Sequence, residues 1–282
     1  MHRQKFLQAR IVKYREDPVL FFIEVLHFHA DEWQKAVAID IAHHPRVTVR
    51  SGQGVGKTAL EAAIALWFLC CFPNARVVAT APTRQQLHDV LWSELAKWMD
   101  KSPILNELLT WTKTRITVKG REKRWFMVAR TATKPANMQG FHADNMLFIV
   151  DEASGVDDPI LEAILGTLSG PNNKLGLFGN PNQPSGIFYD SHTRDRDIYC
   201  VHQISSLDSP LTNTEVIEAN MRKYGKDSNF IRVRVLGEFP LAEDDVFIPL
   251  PLLEKSKDTQ YNERPAELIH IGCDVARYGD DK

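Results

Sequence analysis

The chain has 282 residues, 44% hydrophobic and 25% charged, with a net charge of −2. That length allows one large or two modest domains around a sizeable core, while the near-neutral balance leaves any nucleic-acid contact to a local basic patch. Cys70, Cys71, Cys200 and Cys273 show neither C-x-x-C spacing nor a disulfide framework, so they read as buried thiols in a reducing compartment. The longest apolar run, Ala62 to Phe72, is too short to span a bilayer, and the first residues lack an apolar signal core and a cleavage site. The expectation is a soluble, intracellular protein without a membrane partner.

In chain order, residues 3–27 read as one or two helices broken near Asp17-Pro18, followed by an amphipathic helix that starts after Asp31 with Trp33-Gln34. A β-branched run, Val47-Thr48-Val49, predicts a buried strand. It leads into a glycine-rich turn, Gly56-Lys57-Thr58 and an apolar helical stretch. Strand, glycine-rich loop and helix in that order are the context of a phosphate-binding loop. Here it comprises Ser51, Gly52, Gln53, Gly54, Val55, Gly56, Lys57 and Thr58. Backbone N–H groups and the helix N-terminus attract phosphate, Lys57 adds a full positive charge, and the Thr58 hydroxyl suits Mg²⁺. Ser51 departs from the pattern, which has glycine there; Gly52 and Gly54 are expected to supply the flexibility.

A second strand is predicted over ARVVATAPT, then a helix with Leu87, Val90, Leu91, Leu95 and Trp98 on one face. Alternating strands and helices argue for a doubly wound α/β domain. Residues 113–130 form a predicted hairpin with seven basic residues (Lys113, Arg115, Lys119, Arg121, Lys123, Arg124, Arg130) against Glu122. It reads either as a phosphate-backbone contact or as a solvated strand face. Further strands are predicted at NMLFIV, KLGLFG and IYCVHQIS, with helices at DDPILEAILGTLS, NTEVIEANMRKYG and DSNFIRVRVLGEF. The acidic, proline-punctuated stretch 243–265 reads as a linker, and 266–282 as a strand beginning a new unit.

Met146 to Glu152 predicts a central strand with two carboxylates at its C-terminal end, the edge that faces the ligand crevice in open parallel sheets. Asp151 is the candidate for holding Mg²⁺ and Glu152 for activating the attacking water, with Lys57 on the phosphates of ATP. The plainer reading, that both acids cap a loop, loses ground beside the phosphate loop. Gln34 has the donor and acceptor to grip adenine at N6 and N7, although a solvated glutamine is the plainer reading. Asn180 ends a strand near the crevice and is a candidate sensor of the γ-phosphate or attacking water; a turn-forming Asn before Pro is the alternative.

Together these segments resemble the large terminase subunit of tailed bacteriophages. The resemblance rests on WQ at 33–34, RSGQGVGKT at 50–58, ATAPT at 79–83, QGFHADNMLFIVDEAS at 139–154, GNP at 179–181 and CDVARYGDD at 273–281. It implies an ATP-hydrolysing motor that moves double-stranded DNA into a procapsid in the host bacterial cytoplasm. The implied partners are the portal protein and the small terminase subunit. Rings are expected on the portal, with a monomer allowed for the isolated chain. The implied fold is a P-loop NTPase of the ASCE/RecA-like kind, a parallel sheet with flanking helices. The first strand of a truncated RNase H-like nuclease follows it. The implied organisation is an N-terminal helical segment 1–45, an ATPase domain 46–242, a linker 243–265 and the incomplete nuclease 266–282. Asp274 matches the nuclease's first metal-binding aspartate, but one carboxylate does not hold a two-metal site, so cutting is expected only of a longer protein. Arg50 matches a basic residue used at the phosphates. Gln139 departs from an arginine that relatives often carry there as a finger on a neighbouring subunit's ATP, with Arg84 and Arg130 as stand-ins. Two other classes compete: a helicase-like remodelling ATPase, which needs a second motor lobe, and a non-hydrolysing nucleotide-binding module, against which Glu152 argues.

Overall fold

The β-branched run is a strand, β1 (Arg46–Ser51), one place in from the edge of an eight-stranded sheet. The computed structural model describes residues 2–241 and Ser256. The remainder of the expected linker and the nuclease start, with Cys273 and Asp274, lie outside the described residues.

The chain enters through α1 (His2–Glu16) and α2 (Pro18–Phe21). Between them the Asp17 carboxylate accepts from Leu20 N at 3.2 Å, and Pro18 occupies the first helical turn, where its missing N–H does no harm. A wider π-type turn, Phe22–Leu26, ends at left-handed His27, and α3 (Glu32–His43) follows. Arg15 Nε donates to Cys71 O at 2.6 Å, which holds α1 against α4 (Lys57–Cys71), the helix leaving the glycine-rich loop.

After β2 (Arg76–Thr80) the next helix opens with a π-type stretch, Gln86–Leu91, before α5 (Trp92–Lys101). Leu87, Leu91, Leu95 and Trp98 are buried as the pattern predicts, but Val90 is 48% exposed. The wider π turn rotates Val90 off the stripe that a regular α-helix would align. α6 (Pro103–Leu108) and a three-residue strand β3 (Leu109–Trp111) carry no pattern the sequence reading caught. The hairpin is β4 (Arg115–Val118) and β5 (Phe126–Ala129), with Gly120 at φ 75° in its turn. Then come β6 (Asn145–Val150), α7 (Asp158–Thr167), β7 (Asn172–Gly179), α8 (Gly186–His192) and β8 (Cys200–Ile204). α9 (Thr214–Tyr224) and α10 (Asn229–Ile231), continued by a π-type turn to Leu236, close the described chain.

The strand order is β3-β4-β5-β2-β6-β7-β1-β8, parallel throughout except for the β3–β4 and β4–β5 pairs. Every residue of β6 is buried, as a strand covered on both faces requires. Alternation along the strands divides the core: Val47, Val49, Val77 and Ala79 pack with α4, while Val78, Phe148 and Val150 pack with α7 and α8. Two consequences position the chemistry. β7 separates β1 from β6, so the C-terminal ends of all three lie side by side. And because β5 runs parallel to β2, the tip of the basic hairpin points to the opposite edge from the glycine-rich loop. Lys119, Arg121, Lys123 and Arg124 therefore sit at the far edge. Lys113 and Arg130 sit at the loop's edge, about 13 Å away along the strands, whereas the Arg115 guanidinium reaches back over Phe126 to donate to Glu122 O (2.9 Å) in the hairpin turn. The single basic patch read from the sequence is two. The thiols also differ from expectation: Cys71 is buried, Cys70 and Cys200 are half-buried, and all three are free.

Candidate nucleotide-binding site

The glycine-rich loop is braced from below by the end of the described chain. Gly52 N donates to Ile204 O (2.9 Å), Gln53 N to Arg234 O (2.8 Å), and Ser206 Oγ to Gln53 O (2.8 Å). Gly52 is required by close approach: a Cβ there would lie 2.2 Å from Ser206 Oγ and 2.4 Å from Val235 O. Gly54 and Gly56 are required by conformation, at φ 75° and 92°. Ser51 ends β1 in ordinary extended backbone, so a side chain is tolerated where the pattern has glycine. Its hydroxyl donates to Gly52 O (2.8 Å) and accepts from Lys57 Nζ (3.1 Å). Val55 is buried beneath the loop, and no side chain caps α4, whose first turn carries Lys57 and Thr58. The α4 N-terminus keeps its N–H groups for an anion.

Gln34 is 2% exposed and sits against this loop. Its Oε1 accepts from Asp31 N (2.9 Å), and its Nε2 donates to Gly56 O (3.0 Å). The amide thus fastens α3 to the loop at both ends instead of standing open to a base. Arg50 lies elsewhere than the resemblance implies. It follows Thr48 on the sheet face that meets α8, where Thr48 Oγ1 lies 2.8 Å from Ser191 Oγ and 3.0 Å from His192 Nε2. The Arg50 guanidinium donates to Gln203 Oε1 (2.6 Å), stacks over Phe239 and has its pKa lowered by burial. Strand alternation is the reason: Ser51, one residue on, is the side chain that meets Lys57. On the same face, burial and then Arg50 push His192 down to about 3, so its imidazole is neutral.

The β6 carboxylates emerge beside Lys57. Asp151 is 5% exposed, and its Oδ1 accepts from Glu152 N at 2.9 Å. Burial, followed by the charge of Glu152, raises its pKa to about 6, with Lys57 opposing. Glu152 is half-buried in the left-handed conformation at φ 49°, an unfavourable backbone for a non-glycine residue. Thr58 and Asp151 offer a hydroxyl and a desolvated carboxylate, hard oxygen donors of the kind Mg²⁺ takes. Asn180, at the end of β7, joins the two halves. Its Nδ2 donates to Ser51 O (2.6 Å), and its carbonyl accepts from Ser154 Oγ (2.7 Å) just past Glu152.

Sequence reading missed Glu61. It is wholly buried on α4, and neither carboxyl oxygen has a hydrogen-bond partner among the described residues. Burial, then Asp151, raise its pKa well above the usual range, which favours its neutral form. A signal existed: Glu61 is the one acidic residue in an apolar helix, four residues after Lys57 and so on its face. Arg84, Arg130 and Gln139 are all exposed. Arg84 and Arg130 line one groove of about 590 Å³ with Thr83, His88, Thr114 and Asn137, at the loop's edge of the sheet.

The fold and this loop define a phosphate-loop α/β domain of the ATPase type. A family described as "AAA domain" matches residues 34–188, and the chain belongs to it. The chain is 32% identical over 253 residues to the "Probable terminase, large subunit" of Enterobacteria phage P7, covering 83% of this chain and 50% of that protein. It thus spans about half the length of that curated relative. The Thermus phage P74-26 large terminase ATPase domain superposes with a TM-score of 0.61 at 20% identity, over 77% of this chain and 97% of that one. The HK97 large terminase does so at 0.62 and 17%, over 80% and 55%. The large terminase of a thermophilic bacteriophage, in complex with ADP, gives 0.60 and 15%, over 75% and 54%. These structures establish the fold, and with the P7 protein they bear out the resemblance to large terminases. No helix of the described residues is long and apolar enough to cross a membrane.

Two outcomes follow from the geometry. Gly52→Ala should destabilise the chain by about 1–3 kcal/mol through overpacking and weaken ATP binding, both read by thermal unfolding with and without nucleotide. Asp151 has a folded pKa above its unfolded value of 3.8. Its contribution to stability is therefore full below that value and is lost as pH rises through about 6. Asp151→Asn should then raise the unfolding free energy of the nucleotide-free chain by about 1–3 kcal/mol at pH 7. The gain should shrink toward zero near pH 4; urea unfolding at both pH values measures it, and an equal gain at both contradicts the assignment.

Proposed function

We propose that the chain is the ATP-hydrolysing part of a terminase large subunit, translocating double-stranded DNA into a procapsid. The observation that carries this reading is the junction of the phosphate loop and the β6 carboxylates through Asn180 on the intervening strand.

In this reading the loop from Ser51 to Thr58 binds the ATP phosphates through its backbone and the α4 N-terminus, with Lys57 moving from Ser51 Oγ to the β- and γ-phosphates. Mg²⁺, held by Thr58 and Asp151, neutralises phosphate charge when bound. Glu152 takes the proton of the attacking water, and its left-handed backbone supports that role by aiming the carboxylate off the strand end. Gln34 reaches adenine only by giving up a bond to Asp31 or Gly56, so base binding and loop position are linked. Asn180 senses the γ-phosphate or the water by way of Ser51 O and Ser154. Arg50 acts from the opposite face, against Gln203 and Phe239. The exposure of Arg84 and Arg130 at the loop's edge supports either as a finger toward a neighbouring subunit in a ring on the portal. Lys113 and Arg130 are DNA-contact candidates on that edge, and the hairpin tip, with the Arg115 guanidinium bonded to it, is a separate candidate on the other. The small terminase subunit, the host cytoplasm and a nuclease supplied by a longer chain that includes Asp274 belong to the same reading.

Three substitutions test it. Lys57→Ala should abolish ATP turnover. Glu152→Gln should keep ATP affinity within a few-fold while the rate falls by roughly 10²–10⁴, the usual contribution of a general base. Asp151→Asn should instead weaken Mg·ATP binding. Normal hydrolysis by Glu152→Gln in a phosphate-release assay, or equal binding losses in both carboxylate variants, overturns the division of labour.

A further inference from the structure

On the flank of the loop, α3 and the edge strand β8 bring three ligand-type side chains to one place, with a fourth, His44, beside one of them. Asp40 and His44 are a helical turn apart at the C-terminal end of α3, and Cys200 and His202 alternate onto the same face of β8. His202 Nε2 lies 2.8 Å from Asp40 Oδ2 and 3.9 Å from Cys200 Sγ, and His44 Nε2 lies 3.8 Å from Asp40 Oδ1. One ligand atom each from Asp40, Cys200 and His202 falls within 4.8 Å of the other two, and all three residues are half-buried. None of the four belongs to the phosphate loop or the β6 carboxylates.

We propose that Asp40, His44, Cys200 and His202 form a site for a single Zn²⁺ ion that staples α3 to β8. The donor chemistry selects the ion: thiolate, imidazole and carboxylate together suit Zn²⁺, whereas Mg²⁺ takes oxygen alone. The spacing is close to what the ion needs. With Zn–S about 2.3 Å and Zn–N about 2.0 Å, the N···S edge of a tetrahedron is about 3.5 Å, a few tenths below the observed separation. The Asp40–His202 hydrogen bond already holds two donors together and opens slightly to admit the ion. On binding, Zn²⁺ displaces the thiol proton of Cys200 to solvent; His202 gives up the Nε2 proton it shares with Asp40 and takes one up at Nδ1, so that the Nε2 lone pair is free for the ion. Half-exposed His44 swings onto the fourth position.

The staple would act on the loop from both sides. α3 holds Gly56 through Gln34, and β8 holds Gly52 through Ile204 O, so joining these elements fixes the separation of the loop's two ends. The inference does not depend on which reaction the loop supports, because its readout is metal binding.

The test is isothermal titration of Zn²⁺ into the metal-stripped 282-residue chain, with Co²⁺ as a spectroscopic probe. A single equivalent of Zn²⁺ should bind and raise the thermal midpoint. Co²⁺ should show a near-ultraviolet thiolate charge-transfer band. Cys200→Ser should lose that band, and His202→Ala should lose Zn²⁺ binding, while Cys273→Ser keeps both. Equal midpoints of wild type and variants in EDTA would show that the variants fold. If either fails to fold, the cobalt band in wild type, and its persistence in Cys273→Ser, decide the matter. Absence of binding, a cobalt complex without a thiolate band, or binding that survives both substitutions overturns the proposal.

Discussion

The arrangement of the site depends on one topological constraint: β7 lies between the strand that ends in the phosphate loop and the strand that ends in the carboxylates. Two loops on strands that are not neighbours do not set each other's position by ladder hydrogen bonds. Asn180, at the end of the strand between them, bonds to Ser51 O on one side and Ser154 on the other. Ser51 Oγ in turn accepts from Lys57. A continuous polar chain therefore runs from the turn holding Glu152 to the lysine of the loop, through groups that are buried or half-buried. In such surroundings each bond is stronger than in water, and each missing partner is expensive.

The same region is held in a state that folding alone would not select. Asp151 and Glu61 are desolvated acids whose opposing charge among the described residues is the shared Lys57, and Glu152 has a left-handed backbone. Each of these weakens the nucleotide-free chain. The surrounding sheet supplies the opposing stabilisation: β6 is buried along its whole length, and α4 contributes Trp67, Phe68, Leu66 and Ile64 at essentially no exposure. A bound cation would relieve the charge repulsion between the carboxylates. Such strain at the mouth of a rigid scaffold is what a site organised for ligand rather than for stability shows.

Much of the fold was legible. The strand runs at 47–49, 76–80 and 146–150 announce themselves by β-branched and apolar residues, and the loop by its glycines, because backbone conformation is written locally. The failures fall where the third dimension intervenes. Val90 fits a helical stripe but meets solvent, because a π-type turn changes the period. Arg50 adjoins the loop in sequence, yet strand alternation sends it to the other face. The seven basic residues are contiguous in sequence but separated by the length of a hairpin. Gln34 reads as a free amide, while its partners, Asp31 N and Gly56 O, exist only once α3 docks. Glu61 was the one missed residue with a local signal, a lone acid in an apolar helix.

The most direct test of the account is steady-state ATP hydrolysis by Asn180→Ala, with chain stability measured in parallel. Truncation removes the donor to Ser51 O and leaves that buried carbonyl unpaired, which should cost about 1–3 kcal/mol of stability. If the polar chain through Asn180 aligns Lys57 with Glu152, kcat should fall by far more than ATP affinity in protein that remains folded. Wild-type turnover by the folded variant would contradict the account, since the two halves of the site would then be aligned without the strand that separates them.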